Sequence, residues 1–202
     1  SVLANCSGLL SITMPSSISS SKLEEIFNDC TSLKTVKFRN MESFDDCLSI
    51  LCSKRYPAAT ATFYLNDAVI TDIYIPDGIN TICADAFLGC TFEDIHFPES
   101  LTSIGSNAFK GSTYLNKLEL PESLTSLETN VFANCIALQE VDIKGNLTTI
   151  SDNSFQGCNS LTEISISEGV ESIGSYAFKN CSSLNSVLLP NSMRTIGEGA
   201  FS

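Results

Sequence analysis

Nine cysteines are the residues of this 202-residue chain with the clearest potential for chemistry. Six of them share one position of a repeated pattern, in which Ser112 takes the place of a seventh: Cys6, Cys30, Cys90, Cys135, Cys158 and Cys181. Neighbouring strands of a stacked array lie about 5 Å apart, so disulfides between adjacent copies are within reach. Ser112 in mid-column and the odd total favour a ladder of buried free thiols whose weak donors point at the backbone. A metal site is not expected, because the chain has no C-x-x-C pair and one histidine.

The single histidine, His96, and the paired acids are the next candidates for chemistry. A Ser-His-Asp triad would need a serine and an acid around His96, and serines are too abundant for proximity to be informative. Glu140 and Asp142 have the chemistry for glycoside hydrolysis, but on an open sheet nothing would exclude water from them. The chain contains no G-x-S-x-G, H-E-x-x-H or phosphate-binding glycine loop. The sequence therefore predicts a protein that is not an enzyme and needs no cofactor.

The elements that must position these residues are short repeated units. Phenylalanines recur 22 or 23 residues apart: Phe87, Phe109, Phe132, Phe155, Phe178 and Phe201. A fixed period in this range is typical of a solenoid, in which each unit buries its apolar face by stacking on its neighbours. Alternating segments such as "EISIS" predict one half-buried strand per unit, eight in all, centred on Ile12, Val36, Ile73, Ile95, Leu118, Val141, Ile164 and Val187.

The unit F-x-x-C-x-x-L-x-x-[IVL]-x-[ILF]-P-x-x-[LIV]-x-x-[IL] covers nearly the whole chain and resembles the leucine-rich repeats of the BspA-like family. The resemblance implies an α/β-type repeat solenoid. This would be a right-handed leucine-rich-repeat array with a parallel β-sheet on the concave face and mostly turns and short strands on the convex side. It also implies a secreted or cell-surface protein engaged in adhesion or protein binding. Departures from the unit are Arg39, Lys144 and Ser167 at the proline position and a one-residue deletion at Phe92.

Residues 40–66 interrupt the repeat by about 14 residues, because the strand centres Val36 and Ile73 are 37 residues apart. An N-cap serine, acids in the first turn and basic residues at the end predict a short helix, roughly residues 44–55, on the convex side. Its apolar face would comprise Phe44, Cys47, Leu48, Leu51 and Cys52.

After the helix, two strand-like runs around Asn66 and Asp67 predict a hairpin that returns the chain to the register of the array. We interpret the insertion as one that the array tolerates, with a partner-binding protrusion as the alternative.

The formal net charge of −12 argues against nucleic acid or an anionic membrane as a partner, since both require basic patches. No apolar run is long enough to cross a bilayer. The predicted strands place outward side chains on the exposed sheet face, and we take ten as candidate binding residues: Asp72, Tyr74, Asp94, His96, Lys117, Glu119, Glu140, Asp142, Glu163 and Leu188. Six are acids, which suit a basic protein surface or a divalent cation. An ordinary solvated face is the alternative. A specific calcium site is not favoured, because no D-x-[DN]-x-[DN]-G loop is present.

The sequence thus predicts one domain over residues 1–202, whose ends both fall in mid-repeat, as expected of a piece of a longer chain. Its expected function is protein–protein interaction or adhesion through the acidic strand face, with a host or extracellular-matrix protein as partner. A structural spacer and a carbohydrate-binding surface remain as alternatives.

Overall fold

The described part of the chain is a parallel-strand β-solenoid of about seven turns with one short helix. In this computed structural model the residues described are 6–15, 30, 32–53, 60–144 and 146–202. The first elements are β1 (Ser11–Thr13), β2 (Thr35–Phe38), α1 (Met41–Ser53), β3 (Thr62–Leu65) and β4 (Ala68–Val69). The later turns contain β5 (Asp72–Tyr74), β6 (Thr81–Ile82), β7 (Asp94–His96), β8 (Ser103–Ile104), β9 (Lys117–Leu120), β10 (Ser126–Leu127), β11 (Glu140–Ile143), β12 (Thr149–Ile150), β13 (Glu163–Ile166), β14 (Ser172–Ile173) and β15 (Thr195–Ile196).

The strands that begin each coil form two sheets, one in the order β1-β2-β3-β4 and one in the order β13-β11-β9-β7-β5. All pairs between coils are parallel, and equivalent residues face each other, as in Lys117 opposite Glu140 and Glu140 opposite Glu163. The central residue of each strand points inward, because side chains alternate between the two faces of a strand. Ile73, Leu118 and Val141 are accordingly buried.

A second set of two-residue strands turns each coil back, in the orders β10-β8-β6 and β12-β14-β15. These strands lie at the aliphatic pairs of the repeat, where Leu101 and Ile104 are fully buried. The repeat pattern alone did not identify these aliphatic positions as paired strands.

The phenylalanines of successive coils form one continuous stack on the far side of the core. From Phe87 to Phe201, neighbouring ring centroids lie 5.2 to 5.5 Å apart with interplanar angles of 13° or less. Backbone hydrogen bonds also join successive coils beside the stack. The N–H of Phe132, for example, donates to the carbonyl of Ser154 in the next coil at 2.8 Å. Asparagine suits the left-handed conformation that recurs two residues before several of these phenylalanines, as at Asn107 and Asn130.

The insertion forms part of the array. β2 pairs in parallel with β3, so α1 is the connection of a coil whose two strands both belong to the first sheet. The helix packs against β2 and β6. The N–H of Cys83, just after β6, donates to the carbonyl of Cys52 near the end of α1 at 2.8 Å. The helix end therefore takes the place that a short strand fills in the other coils.

The predicted helix is confirmed, with bounds Met41–Ser53 in place of 44–55; residues 54–59 lie outside the described residues. Its predicted apolar face is buried: Phe44, Cys47, Leu48, Leu51 and Cys52. The predicted hairpin is also confirmed by the antiparallel pair β3–β4. Its turn residues Asn66 and Asp67 have φ of 50° and 63°, which short polar side chains tolerate.

The prediction of a strand centred on Val187 is wrong. The segment from residue 184 to residue 190 contains no strand, and Leu188 is 86% exposed. This segment can pair only with β13 within the described array, and no pairing forms there. The other seven predicted strand centres do lie in strands, and the strand at Phe63 in β3 was not assigned to a coil of its own.

Candidate functional site

The strand face is the exposed surface formed by the outward side chains of β5, β7, β9, β11 and β13, with the adjoining Lys144. The parallel register arranges these side chains in two rows. One row comprises Asp72, Asp94, Lys117, Glu140 and Glu163, and the other comprises Tyr74, His96, Glu119, Asp142 and Ser165. Nine of the ten candidate residues therefore lie on these strands. Leu188 lies outside the strands but lines a groove of the same face together with Glu140 and Glu163.

Two lysines neutralise the middle of the strand face. Lys117 Nζ lies 3.0 Å from Glu119 and 3.8 Å from Glu140. Lys144 Nζ lies 3.0 Å from Glu119 and 3.7 Å from Asp142. The hydrogen bonds and positive charges of Lys144 and Lys117 lower the pKa of the Glu119 carboxyl below its usual range. The six acids thus do not form a uniform negative ridge, because three of them share two cations.

Lys144 is a strand-face residue that the sequence analysis missed. It was noted only as a departure at the proline position of the repeat. Its place two residues after Asp142 was the available signal, because alternate residues of an extended segment share a face.

Tyr74 and His96 form the aromatic part of the strand face. Their rings are stacked, with centroids 4.1 Å apart and an interplanar angle of 10°. Tyr74 is 67% exposed. The pair therefore presents an accessible aromatic surface beside Asp72 and Asp94, the acids of the neighbouring row.

Metal-binding geometry is lacking in the described part of the chain. Over residues 6–15, 30, 32–53, 60–144 and 146–202, no group of three His, Cys, Asp or Glu side chains could hold a metal ion. Nor is any described helix long and apolar enough to span a membrane.

The column of cysteines lies inside the solenoid, between successive coils. The Sγ atoms of Cys135, Cys158 and Cys181 donate to the carbonyls of Phe109, Phe132 and Phe155, one coil earlier, at 3.2 to 3.3 Å. Burial raises the pKa of Cys181 to about 11. All nine cysteines of the chain are described, and all are free thiols.

Ser112 continues the column with a hydroxyl in place of a thiol. Its Oγ lies 3.2 Å from Cys90 Sγ and donates to the carbonyl of Phe87 at 3.4 Å. Burial raises the pKa of Cys90 to about 11, against the opposing effect of its hydrogen bond with Ser112. Ser112 is fully buried, so a polar group at this position is tolerated because it finds a partner. At the N-terminal end of the same column, Cys30 is buried and Cys6 half-buried.

Solved structures with the same arrangement define the class of protein as a leucine-rich-repeat solenoid. A leucine-rich repeat protein of T. pallidum is 24% identical with a TM-score of 0.58, over 89% of this chain and 79% of that chain. A leucine-rich cell surface protein of Faecalibacterium prausnitzii is 25% identical with a TM-score of 0.61, over 94% and 48%. A leucine-rich repeat protein of Eubacterium ventriosum is 20% identical with a TM-score of 0.60, over 95% and 57%.

The family model of the BspA type leucine-rich repeat region matches in six copies, over residues 1–53 and 59–163. The chain therefore belongs to the BspA type leucine-rich repeat family. It spans about half the length of the F. prausnitzii and E. ventriosum proteins. No curated protein matches the chain.

Proposed function

We propose that this chain is a non-catalytic protein-binding module that recognises its partner through the strand face. The observation that carries the proposal is the division of charge on that face. Asp72, Asp94 and Glu163 lie outside the ion pairs of Lys117 and Lys144 and flank the neutralised middle on both sides. Unbalanced surface charges steer an oppositely charged partner and fix its register. The partner is therefore a protein with basic patches.

The setting we propose is the cell surface or the extracellular space, with a host or matrix protein as partner and residues 1–202 acting as one domain. Membership of the BspA type family and the likeness to a protein named as a leucine-rich cell surface protein support this setting. The absence of catalysis is part of the proposal. The groove beside Asp94, His96 and Glu119 has a volume of about 330 Å³ and lies open on the strand face, so it does not exclude water from a reacting group.

Carbohydrate binding is the second candidate function, because the stacked and exposed Tyr74 and His96 offer an aromatic surface. Carbohydrate binding and protein binding would require different side chains of the strand face. A sugar would require the Tyr74 ring, whereas a basic protein would require the unpaired carboxylates of the strand face.

The test compares two triple charge reversals that change the net charge equally. D72K/D94K/E163K reverses the three strand-face acids that lie outside the ion pairs, and E122K/E128K/E198K reverses three exposed acids elsewhere. Both variants and the native chain are titrated on immobilised extracellular-matrix proteins and on a glycan panel. We expect the first variant to bind the protein partner at least about tenfold more weakly and the second to bind as the native chain does. Equal losses in both variants, or binding only to glycans, would contradict the proposal.

A further inference from the structure

A groove at the carboxyl ends of β5 and β7 is separate from the ion pairs of Lys117 and Lys144. It has a volume of about 380 Å³. Asp45 of α1 borders it on one side, and Tyr74, Asp77, His96 and Phe97 contribute the other charged and aromatic side chains of its lining. The helix end takes the place of a short strand in this coil, and Asp45 of the same helix brings a carboxylate next to the strand face.

The aromatic lining of this groove is held in place by the core. Phe97 packs edge-to-face on Phe109 of the central stack, with centroids 5.8 Å apart. Ile75, between Tyr74 and Pro76, is buried. The Tyr74 ring stacks on the His96 ring in a nearly parallel orientation, and most of the Tyr74 surface is exposed. A flat group entering the groove therefore meets a preformed aromatic wall.

The charge of the groove is negative. Among the residues that the structure describes, its lining includes the carboxylates of Asp45 and Asp77 and no lysine or arginine. Burial, and after it the neighbouring charge of Asp46, raise the pKa of the Asp45 carboxyl. The adjacent groove differs, because Lys117 and Lys144 line it and pair with Glu119.

We propose that this groove binds the guanidinium group of an arginine side chain presented by the protein partner. The inference rests on the proposed function and names the side chain that one part of the surface recognises. A guanidinium is planar, stacks on aromatic faces and donates to carboxylates in a fixed fork. Tyr74 supplies the stacking face, and Asp45 and Asp77 supply the acceptors. A lysine ammonium has the charge but lacks the planar group that fits the aromatic wall.

The test titrates the whole chain with the peptide acetyl-GRGRG-amide and with two matched peptides carrying citrulline or lysine in place of arginine. Citrulline keeps the shape of arginine and removes its charge. The ring signals of His96 report binding without ambiguity, because the chain has one histidine. We expect the arginine peptide to bind about tenfold more tightly than the citrulline peptide and more tightly than the lysine peptide.

Two variants separate the groove from diffuse attraction. Y74L should weaken binding of the arginine peptide about fivefold, and Y114L, which removes another exposed tyrosine outside the groove, should leave it unchanged. Equal binding of the arginine and citrulline peptides, or equal effects of Y74L and Y114L, would overturn the assignment. So would tighter binding of a neutral oligosaccharide that competes with the arginine peptide.

These variants distinguish an error in the arginine groove from an error in the proposed function. If Y74L leaves both the peptide and the protein partner bound while D72K/D94K/E163K releases the partner, the strand face is the binding surface and only the arginine groove is wrong. If D72K/D94K/E163K retains the partner, the proposed function itself is wrong.

Discussion

Phe155→Ala is expected to lower the free energy of unfolding by about 3–5 kcal/mol. Phe155 is fully buried, and its ring lies between those of Phe132 and Phe178 at centroid distances of 5.5 and 5.3 Å. Alanine would leave a cavity in the middle of the stack. The neighbouring coils cannot move in to fill it, because backbone hydrogen bonds hold each coil to the next on both sides. Urea unfolding followed by far-ultraviolet circular dichroism measures the effect, since linear extrapolation to zero urea gives the free energy of unfolding in water.

Phe201→Ala is the matched control for this substitution. Phe201 stacks on Phe178 at 5.2 Å but is 43% exposed. The same change of side chain therefore removes much less buried surface, and we expect a loss of about 1 kcal/mol. A loss below about 1 kcal/mol for Phe155→Ala, or equal losses for the two variants, would mean that the phenylalanine stack does not hold the coils together.

The second large effect is expected in the reactivity of the cysteines towards iodoacetamide at pH 8. Six thiols are buried: Cys30, Cys47, Cys52, Cys90, Cys135 and Cys158. The thiolate is the reacting form, and burial raises the pKa of Cys52 to about 12 and that of Cys90 to about 11. These six should react at least about 100-fold more slowly in the native protein than in the unfolded chain.

The half-buried Cys6 and Cys83 serve as internal controls, because they differ from the six buried thiols in exposure. Mass spectrometry of peptides after timed alkylation, without reductant, should show these two modified first, then Cys181, which is half-buried but has a pKa of about 11, and all nine after unfolding. Fewer than nine thiols in the unfolded chain would mean that part of the column is bridged. Equal rates for the buried and half-buried thiols would contradict their placement between the coils.

The raised thiol pKa values also fix the direction of a pH effect on stability. A group that holds its proton more tightly in the folded state contributes stability below its unfolded pKa, and this contribution is lost as the pH rises. For the buried cysteines, the loss begins near the ordinary thiol pKa of about 8.5 and continues towards the folded values. Alkaline conditions therefore favour the unfolded state.

The repeat made most of the array predictable from the sequence. Phenylalanines at a fixed spacing can share one core only if their coils stack in register, and alternating residues around Leu118 or Val141 can bury one side only as strands. The helix was predictable because its apolar residues recur at helical spacing, and the hairpin because Asn66 and Asp67 suit a turn with positive φ. In each case the conformation that the local sequence prefers agrees with the packing that the whole fold requires.

The features that escaped prediction depend on contacts between distant residues. The pairing of β2 with β3 follows from the way α1 packs, which no local pattern expresses. At Val187 the alternation is suitable for a strand, but a strand also requires a paired neighbour. The groove at Asp45 joins residues from three coils, with Tyr74 and His96 lying 29 and 51 positions after Asp45 in the chain.

The pairing of charges on the strand face was likewise hidden in the sequence. Alternation along each strand predicts which side chains point outward, and it predicts a face rich in acids. The neutralisation of Glu119 depends on Lys144, which comes from the neighbouring coil and reaches it at 3.0 Å. The sequence shows which residues share a surface, but it does not show which acidic and basic side chains form ion pairs with each other.

The central claim is that a partner covers the strand face, and lysine labelling tests it most directly. Lys117 and Lys144 lie on that face, whereas Lys110 and Lys179 lie beside the phenylalanine turns on the other side of the coils. Each lysine of the chain is acetylated with and without the bound partner and quantified by mass spectrometry. We expect the partner to lower the labelling of Lys117 and Lys144 by about fivefold or more and to leave Lys110 and Lys179 unchanged. Protection of Lys110 and Lys179 with Lys117 and Lys144 still reactive would contradict the account.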